Sequence, residues 1–273
     1  MLKKSLLVFT VLGIAGSAAA ADITNPFYLA QKGQVGSITS VSYDRSIVKS
    51  NRAGYWSKGY NAVADEQIQY GLNNSVALIG SIGNTWNHWK ARSVIEQQAG
   101  NTPGPAMVST PLQHDDENIN WSAGLAWNVL SGPAKLQLSG KYGQDRLGNL
   151  RGEYKYAAGE IKAGYQFQRV LPYVSGGVNI PVAQPKVGNK LTYNAKAGLY
   201  QGACEVWALD TGIRMTYDEN MEARLIDAEA EASYYLTKNS TIGVFGTYRL
   251  DGKAQQKTKL YDKSVGARLR IFF

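Results

Sequence analysis

The sequence predicts an all-β protein, a transmembrane antiparallel up-and-down β-barrel of about twelve strands. Three observations carry that reading: an export leader, apolar alternation at period two repeated to the C-terminus, and connections that alternate between short and long. Counts of about ten or about fourteen strands are the neighbouring alternatives.

The leader comes first. Lys3 and Lys4 make a short basic stretch, residues 5–16 (SLLVFTVLGIAG) are apolar, and 17–21 (SAAAA) offer the small residues a signal peptidase requires. Residues 1–21 are therefore expected to be a cleaved signal peptide. The apolar run is shorter than the roughly 18 residues of a membrane-spanning helix. No Cys follows it, so no lipoprotein anchor is indicated. Residues 22–273 are expected to form one barrel domain. Few residues precede the first strand, so no separate plug domain is expected, nor a peptidoglycan-binding domain after Phe273.

Composition adds limits. The formal charge of the 273-residue chain is +8, and +6 once Lys3 and Lys4 leave. This suits anionic headgroups or acidic solutes, and equally an ordinary solvated surface. Cys204 is the single cysteine, which excludes an intramolecular disulfide and a cysteine-rich zinc site. Metal-ligand spacing and a Gly-rich phosphate loop opening a helix are missing from the sequence. Nothing in it calls for a cofactor or for nucleic acid.

The first strands are faint, near 35–43, 63–72 and 75–86. The fourth, 118–130, is the cleanest. Ile119, Trp121, Ala123, Leu125, Trp127 and Val129 share one face, and Asn118, Asn120, Ser122 and Asn128 the other. After Ser131-Gly132-Pro133, Leu136, Leu138 and Tyr142 resume the apolar face, with Lys135, Gln137, Ser139 and Lys141 opposite. Strands near 156–168 and 172–180 follow, and the Gly176-Gly177 pair relieves crowding or permits curvature. The same alternation then recurs at 191–199, 207–215, 226–234, 242–249 and 265–273. Tight turns are predicted at Asn73-Asn74, 131–133, 169–171, 201–204 and 237–240. Longer connections are predicted near 44–62, 87–117, 143–152, 181–190, 218–222 and 251–258.

Three features favour a membrane barrel over a soluble one. Residues 119–129 give ten steps of about 3.3 Å at a tilt near 40°, roughly the 25 Å of a lipid-facing band. Trp86, Trp127, Trp207, Tyr142, Tyr217 and Tyr248 fall near strand ends, where amphipathic rings favour the headgroup level. Asp227, Glu229 and Glu231 share one face, which a dry sandwich core would not tolerate.

The last ten residues, SVGARLRIFF, end on Phe273 with Ile271 and Leu269 at alternate positions before it. This resembles the terminal strand of Gram-negative outer-membrane β-barrel proteins of the porin-like class, with no named subfamily. The resemblance implies residence in the cell outer membrane and insertion by the barrel assembly machinery.

If the apolar face meets lipid, the polar face lines the lumen. Pore-lining candidates are the bases Lys135, Lys141, Lys162, Lys196, Arg214, Arg249, Arg268 and Arg270, and the acids Asp210, Asp227, Glu229 and Glu231. Acids on the tenth strand facing arginines on the twelfth either set a transverse field or pair and fill the pore. The 87–117 connection carries His88, His114, Asp115 and Asp116, and either folds inward as a constriction or stays a solvated loop. Some twelve-stranded barrels are enzymes: omptin proteases set a His-Asp pair against carboxylates, and the outer-membrane phospholipase uses a Ser/His/Asn set. Three adjacent residues on one loop are poorly preorganised for such work. Arg45, Lys49, Arg52, Lys58, Lys90, Arg92, Lys253 and Lys257 crowd the outer loops, as lipopolysaccharide contacts or as solvated charge. The expected function is passive diffusion of small hydrophilic solutes. A closed structural or adhesive barrel is the second reading and a barrel-embedded hydrolase the third.

Overall fold

The computed structural model describes residues 22–49, 56–92, 94–95, 98–99, 102–103, 107–108, 112–147, 152–183, 190–204, 206–219, 221–254 and 258–273. The signal-peptide expectation for 1–21 lies outside them, as do Arg52 and Lys257.

Twelve long strands among the described residues close into one antiparallel barrel. They are β1 (Val35–Lys49), β2 (Trp56–Gly71), β3 (Val76–Arg92), β4 (Leu112–Ser131), β5 (Ala134–Leu147) and β6 (Gly152–Tyr165). The second half is β7 (Val170–Ala183), β8 (Thr192–Cys204), β9 (Trp207–Asp218), β10 (Ala223–Thr237), β11 (Ser240–Ala254) and β12 (Thr258–Phe272). Each strand pairs with its neighbours in sequence, and β1 closes on β12 from Gly36↔Phe272 to Lys49↔Lys259. Closure removes both sheet edges, so the ladder leaves no row of unpaired backbone groups to lipid. The predicted strand count and up-and-down order match this barrel.

The strands reach further at their long-loop ends than apolar alternation predicts. β1 runs to Lys49 and β2 starts at Trp56, where the pattern predicts a loop over 44–62. β3 runs to Arg92 and β4 starts at Leu112, so the predicted 87–117 loop shrinks. Its remainder carries two short ladders, Val94–Ile95 with Met107–Val108 and Gln98–Ala99 with Thr102–Pro103. The reason is physical: backbone pairing continues after the outward residues turn polar, so the period-two signal fades before the sheet ends. Two short turns also move. β6 stops at Tyr165 and the turn falls around Gln168, whose φ is 52°, ahead of the predicted 169–171. β8 continues to Cys204 through an irregularity after Gly202, past the predicted 201–204 turn.

Residues 22–34, ahead of β1, fold back into the barrel at its short-turn end. Ile23, Phe27, Leu29 and Ala30 are buried there. Phe27 packs with Leu171, Tyr173, Tyr200 and Ala208; Ile23 and Ala30 pack with Phe272; Leu29 packs with Ala77 and Ala126. Full burial of such side chains stabilises by about 1.5–3 kcal/mol each. The expectation concerned a separate plug domain; what occupies the barrel end is this short segment itself. Gly33 takes φ 75° to turn the segment into β1, and Gly33 N donates to Gly71 O at 2.8 Å. Gly71 is where the segment crosses the wall, and a Cβ there would lie 1.8 Å from the Gln31 carbonyl oxygen.

Candidate functional site

The segment 22–34 is held to the wall by polar groups as well as by packing. Lys162 donates its ammonium to the Pro26 carbonyl oxygen at 2.9 Å, and the side-chain amides of Asn128 and Gln137 donate to the Phe27 carbonyl oxygen. On the other side, Tyr200 and Tyr235 donate to the Asp22 carboxylate at 2.5 and 2.6 Å, and both hydroxyls also bond Thr24. The Lys162 ammonium also lies 5.7 Å from the Phe27 ring centroid. Burial pushes the Tyr28 phenol up from its ordinary range, against the opposing effect of its hydrogen bond to Gln34.

Above the plug lies a cavity of about 670 Å³, floored by residues 23–26 and Tyr28. Its walls are polar because the even rungs of β6, β8, β9 and β12 all point inward. Lys141, Lys162, Lys196, Asp210, Arg214, Glu231, Arg268 and Arg270 line it. Asp227, Glu229 and Arg249 face inward on the same wall without reaching that cavity. Lys135 is different. It borders a second, smaller space of about 230 Å³ beside the plug, and donates to the Ser131 carbonyl oxygen.

The wall formed by β8–β12 is an ion-pair network. Arg268 and Arg270 both engage Glu231, the latter at 2.5 Å. Arg249 bridges Asp227 at 2.8 Å and Asp262 at 3.5 Å. Lys196 and Arg214 share Glu229 at 3.2 and 2.9 Å, and Lys196 also reaches Asp210 at 3.6 Å. These bases and acids balance one for one, so the charges of this wall pair with one another. On the facing wall, Asp44, Asp65, Asp145 and Glu160 point inward with no ion-pair partner among the described residues. The inward bases there among the described residues are Lys141, Lys162 and, lower down beside the plug, Lys135.

The outward face is apolar and banded. Ile68, Leu78, Ile82, Leu125, Val174, Leu199, Ile213, Val244, Val265 and Leu269 are all exposed on it. Tyr60 and Tyr70 on β2, and Trp207 and Tyr217 on β9, lie ten residues apart on that face. At about 3.3 Å per residue and a 40° tilt, that spacing sets two aromatic girdles roughly 25 Å apart. One carboxylate faces out between them: Glu66 accepts hydrogen bonds from Ser37 Oγ, at 2.5 Å, and from Thr39 Oγ1.

The fold is that of a Gram-negative outer-membrane β-barrel. It is similar to an outer-membrane channel from Pseudomonas putida F1, with TM-score 0.62 and 9% identity over 91% of this chain and 98% of that one. It is also similar to the NanC porin, with TM-score 0.50 and 6% identity over 85% of this chain and 98% of the porin. At such identities the likeness concerns the fold. No protein-family model matches the chain, and no curated protein matches it in sequence. In the outer-membrane barrel the short turns, the plug and the C-terminus are periplasmic, and the longer connections extracellular.

The four residues expected on a connecting loop lie on strands. His88 lies on β3 and His114, Asp115 and Asp116 on β4, in ladder register His88↔Asp115 and Trp89↔His114. His88 Nδ1 bonds the Asp115 carboxylate on the outward side of this strand extension, away from the lumen. The sequence reading missed Asp44, Asp65, Asp145, Glu160 and Asp262 on the inner face. Glu160 was accessible from parity with Lys162 two residues on. Asp44, Asp145 and Asp262 fall where loops are predicted, or beyond the last apolar rung, and carry no alternation signal.

Proposed function

We propose that the barrel is a channel for small hydrophilic solutes, closed at its periplasmic end by residues 22–34 and opened when that segment leaves. The observation that carries this reading is the polar, charge-lined cavity above the plug. A structural barrel has no need to keep such a space, and hydrophobic cargo would find little apolar wall in it. The plug supports the gate: it is a short segment held by packing and a few hydrogen bonds, and no barrel strand has to break for it to go.

The lumen charge points to a preference. The paired wall is neutral, and on the facing wall the four carboxylates Asp44, Asp65, Asp145 and Glu160 outnumber Lys135, Lys141 and Lys162 even when the plug leaves and frees Lys162. Cations are therefore favoured over anions, with less effect at high salt. Leu269 and Ile271 on β12, with Phe273 just after it beside β1, are proposed as the stretch that the barrel assembly machinery recognises. The reading is of a channel and not a hydrolase, since the His88–Asp115 pair stands outside the lumen.

Liposome swelling tests it. Proteoliposomes lacking residues 22–34 should swell faster in a small amine salt than in a carboxylate salt of equal size. Absence of swelling in both would leave the second reading, a closed barrel acting through its extracellular end. The density of contacts to Asp22, Pro26 and Phe27 is what favours that second reading.

A further inference from the structure

Beyond the lumen, the outward face carries bases that no carboxylate among the described residues neutralises. On β1–β3 and β12 the strand extensions above the extracellular girdle place Arg45, Lys58, Lys90 and Lys263 on one side of the barrel. Arg45 stands directly opposite Lys263, and Lys58 directly opposite Lys90. One rung pair further out, Lys49 faces Lys259. Like charges directly opposed across a ladder are destabilising, and here three such pairs stand on two ladders, β12–β1 and β2–β3. No carboxylate lies within ion-pair distance of Arg45, Lys58, Lys90 or Lys263 among the described residues. The nearest outward acids are engaged elsewhere: Asp115 bonds His88, and Asp251 pairs with Arg224 and Lys253.

The centre of the patch is Tyr60. Its ring stacks on Tyr43 at 6.0 Å, the Lys58 ammonium sits 5.0 Å from its centroid, and Arg45 is its cross-strand partner. Arg45 Nε is buried from water and has no hydrogen-bond partner. An orphaned guanidinium N–H costs free energy that a bound acceptor would recover. The height is also specific. Tyr43 and Tyr60 mark the headgroup boundary, and Arg45 and Lys58 lie two residues beyond it, about 5 Å outward. Phosphates of a lipid whose chains occupy the band below would sit at that level.

We infer that Arg45, Lys58, Lys90 and Lys263, around Tyr60, bind the phosphate groups of lipopolysaccharide in the outer leaflet. A phosphate between Arg45 and Lys58, diagonal neighbours across β1 and β2, would accept charge-assisted hydrogen bonds from both cations. The membrane lipid is favoured over a soluble phosphate because the patch faces outward, directly above an apolar and aromatic wall, and turns away from the lumen and its solutes. The inference does not depend on the channel reading.

Its test is binding to the full barrel, refolded in detergent micelles. The probes are bis-phosphorylated lipid A, the same lipid with both phosphates removed, and inorganic phosphate. The phosphorylated lipid should bind about tenfold or more tightly than its dephosphorylated form. That preference should vanish in Lys58→Gln/Lys90→Gln and persist in Lys58→Arg/Lys90→Arg. Both pairs lie above the lipid band, and heat-modifiable gel mobility reports that each has folded. Equal affinity for the two lipids, or an unchanged preference in the glutamine pair, overturns the inference. Inorganic phosphate competing at concentrations equal to the lipid's also overturns it, as a free-anion site.

Discussion

Lys162, on β6, donates its ammonium to the carbonyl oxygen of Pro26 at 2.9 Å, across 136 residues of sequence. That bond ties the wall of the lumen to the segment proposed to close it. A hydrogen bond from a charged donor contributes about 1.5–3 kcal/mol. Lys162→Met keeps most of the side chain's length and removes only the donor. Single-channel records of this variant should show open probability raised by roughly tenfold or more. Unchanged closure would mean that packing around Phe27 alone holds the plug.

Gly71 gives a steric route to the same end. A methyl group there collides with the Gln31 carbonyl oxygen, so Gly71→Ala must displace the crossing segment, the wall strand, or both. The matching change in the turn, Gly132→Ala, meets no atom within 4 Å. Conductance should rise in Gly71→Ala and stay at the wild-type level in Gly132→Ala.

Lumen selectivity should follow the unpaired carboxylates. In the plug-deleted barrel, Asp65→Asn with Asp145→Asn should move the reversal potential in a salt gradient toward anions. Neutralising Arg268 instead frees part of Glu231, so that change should increase cation preference. It should also destabilise the barrel by roughly 1–3 kcal/mol, below the cost of breaking a fully dry pair. A shift toward cations from the aspartate pair would contradict the charge assignment.

Glu66 tests the placement of the lipid band. A carboxyl in hydrocarbon costs stability even with the Ser37 and Thr39 hydroxyls bonded to it. Glu66→Leu should therefore stabilise the barrel in lipid by about 1 kcal/mol, read by urea unfolding in vesicles. A loss of stability would place Glu66 against protein or water instead.

The barrel itself was legible because lipid imposes a strict rule on one face. Trp121, Leu125 and Trp127 must alternate with Asn120, Gly124 and Asn128 wherever the wall meets hydrocarbon, and that rule repeats on every strand. Above the band the rule lapses, which is why His88, Asp115 and Arg45 read as loop residues although they lie on strands. The plug was hidden for a related reason. Ile23, Phe27 and Leu29 pack against a curved inner wall without a period of their own, and nothing local distinguishes them from a disordered lead-in. Pairing among Arg268, Arg270 and Glu231 depends on shear between neighbouring strands, which residue alternation does not encode.

The central claim is a polar channel gated by its own N-terminal segment. It is tested most directly by planar-bilayer conductance of the barrel with and without residues 22–34, across a salt gradient. The account predicts rare openings of the plugged barrel, steady conductance after deletion, and a reversal potential of cation sign. A deleted, correctly folded barrel that remains silent would contradict it.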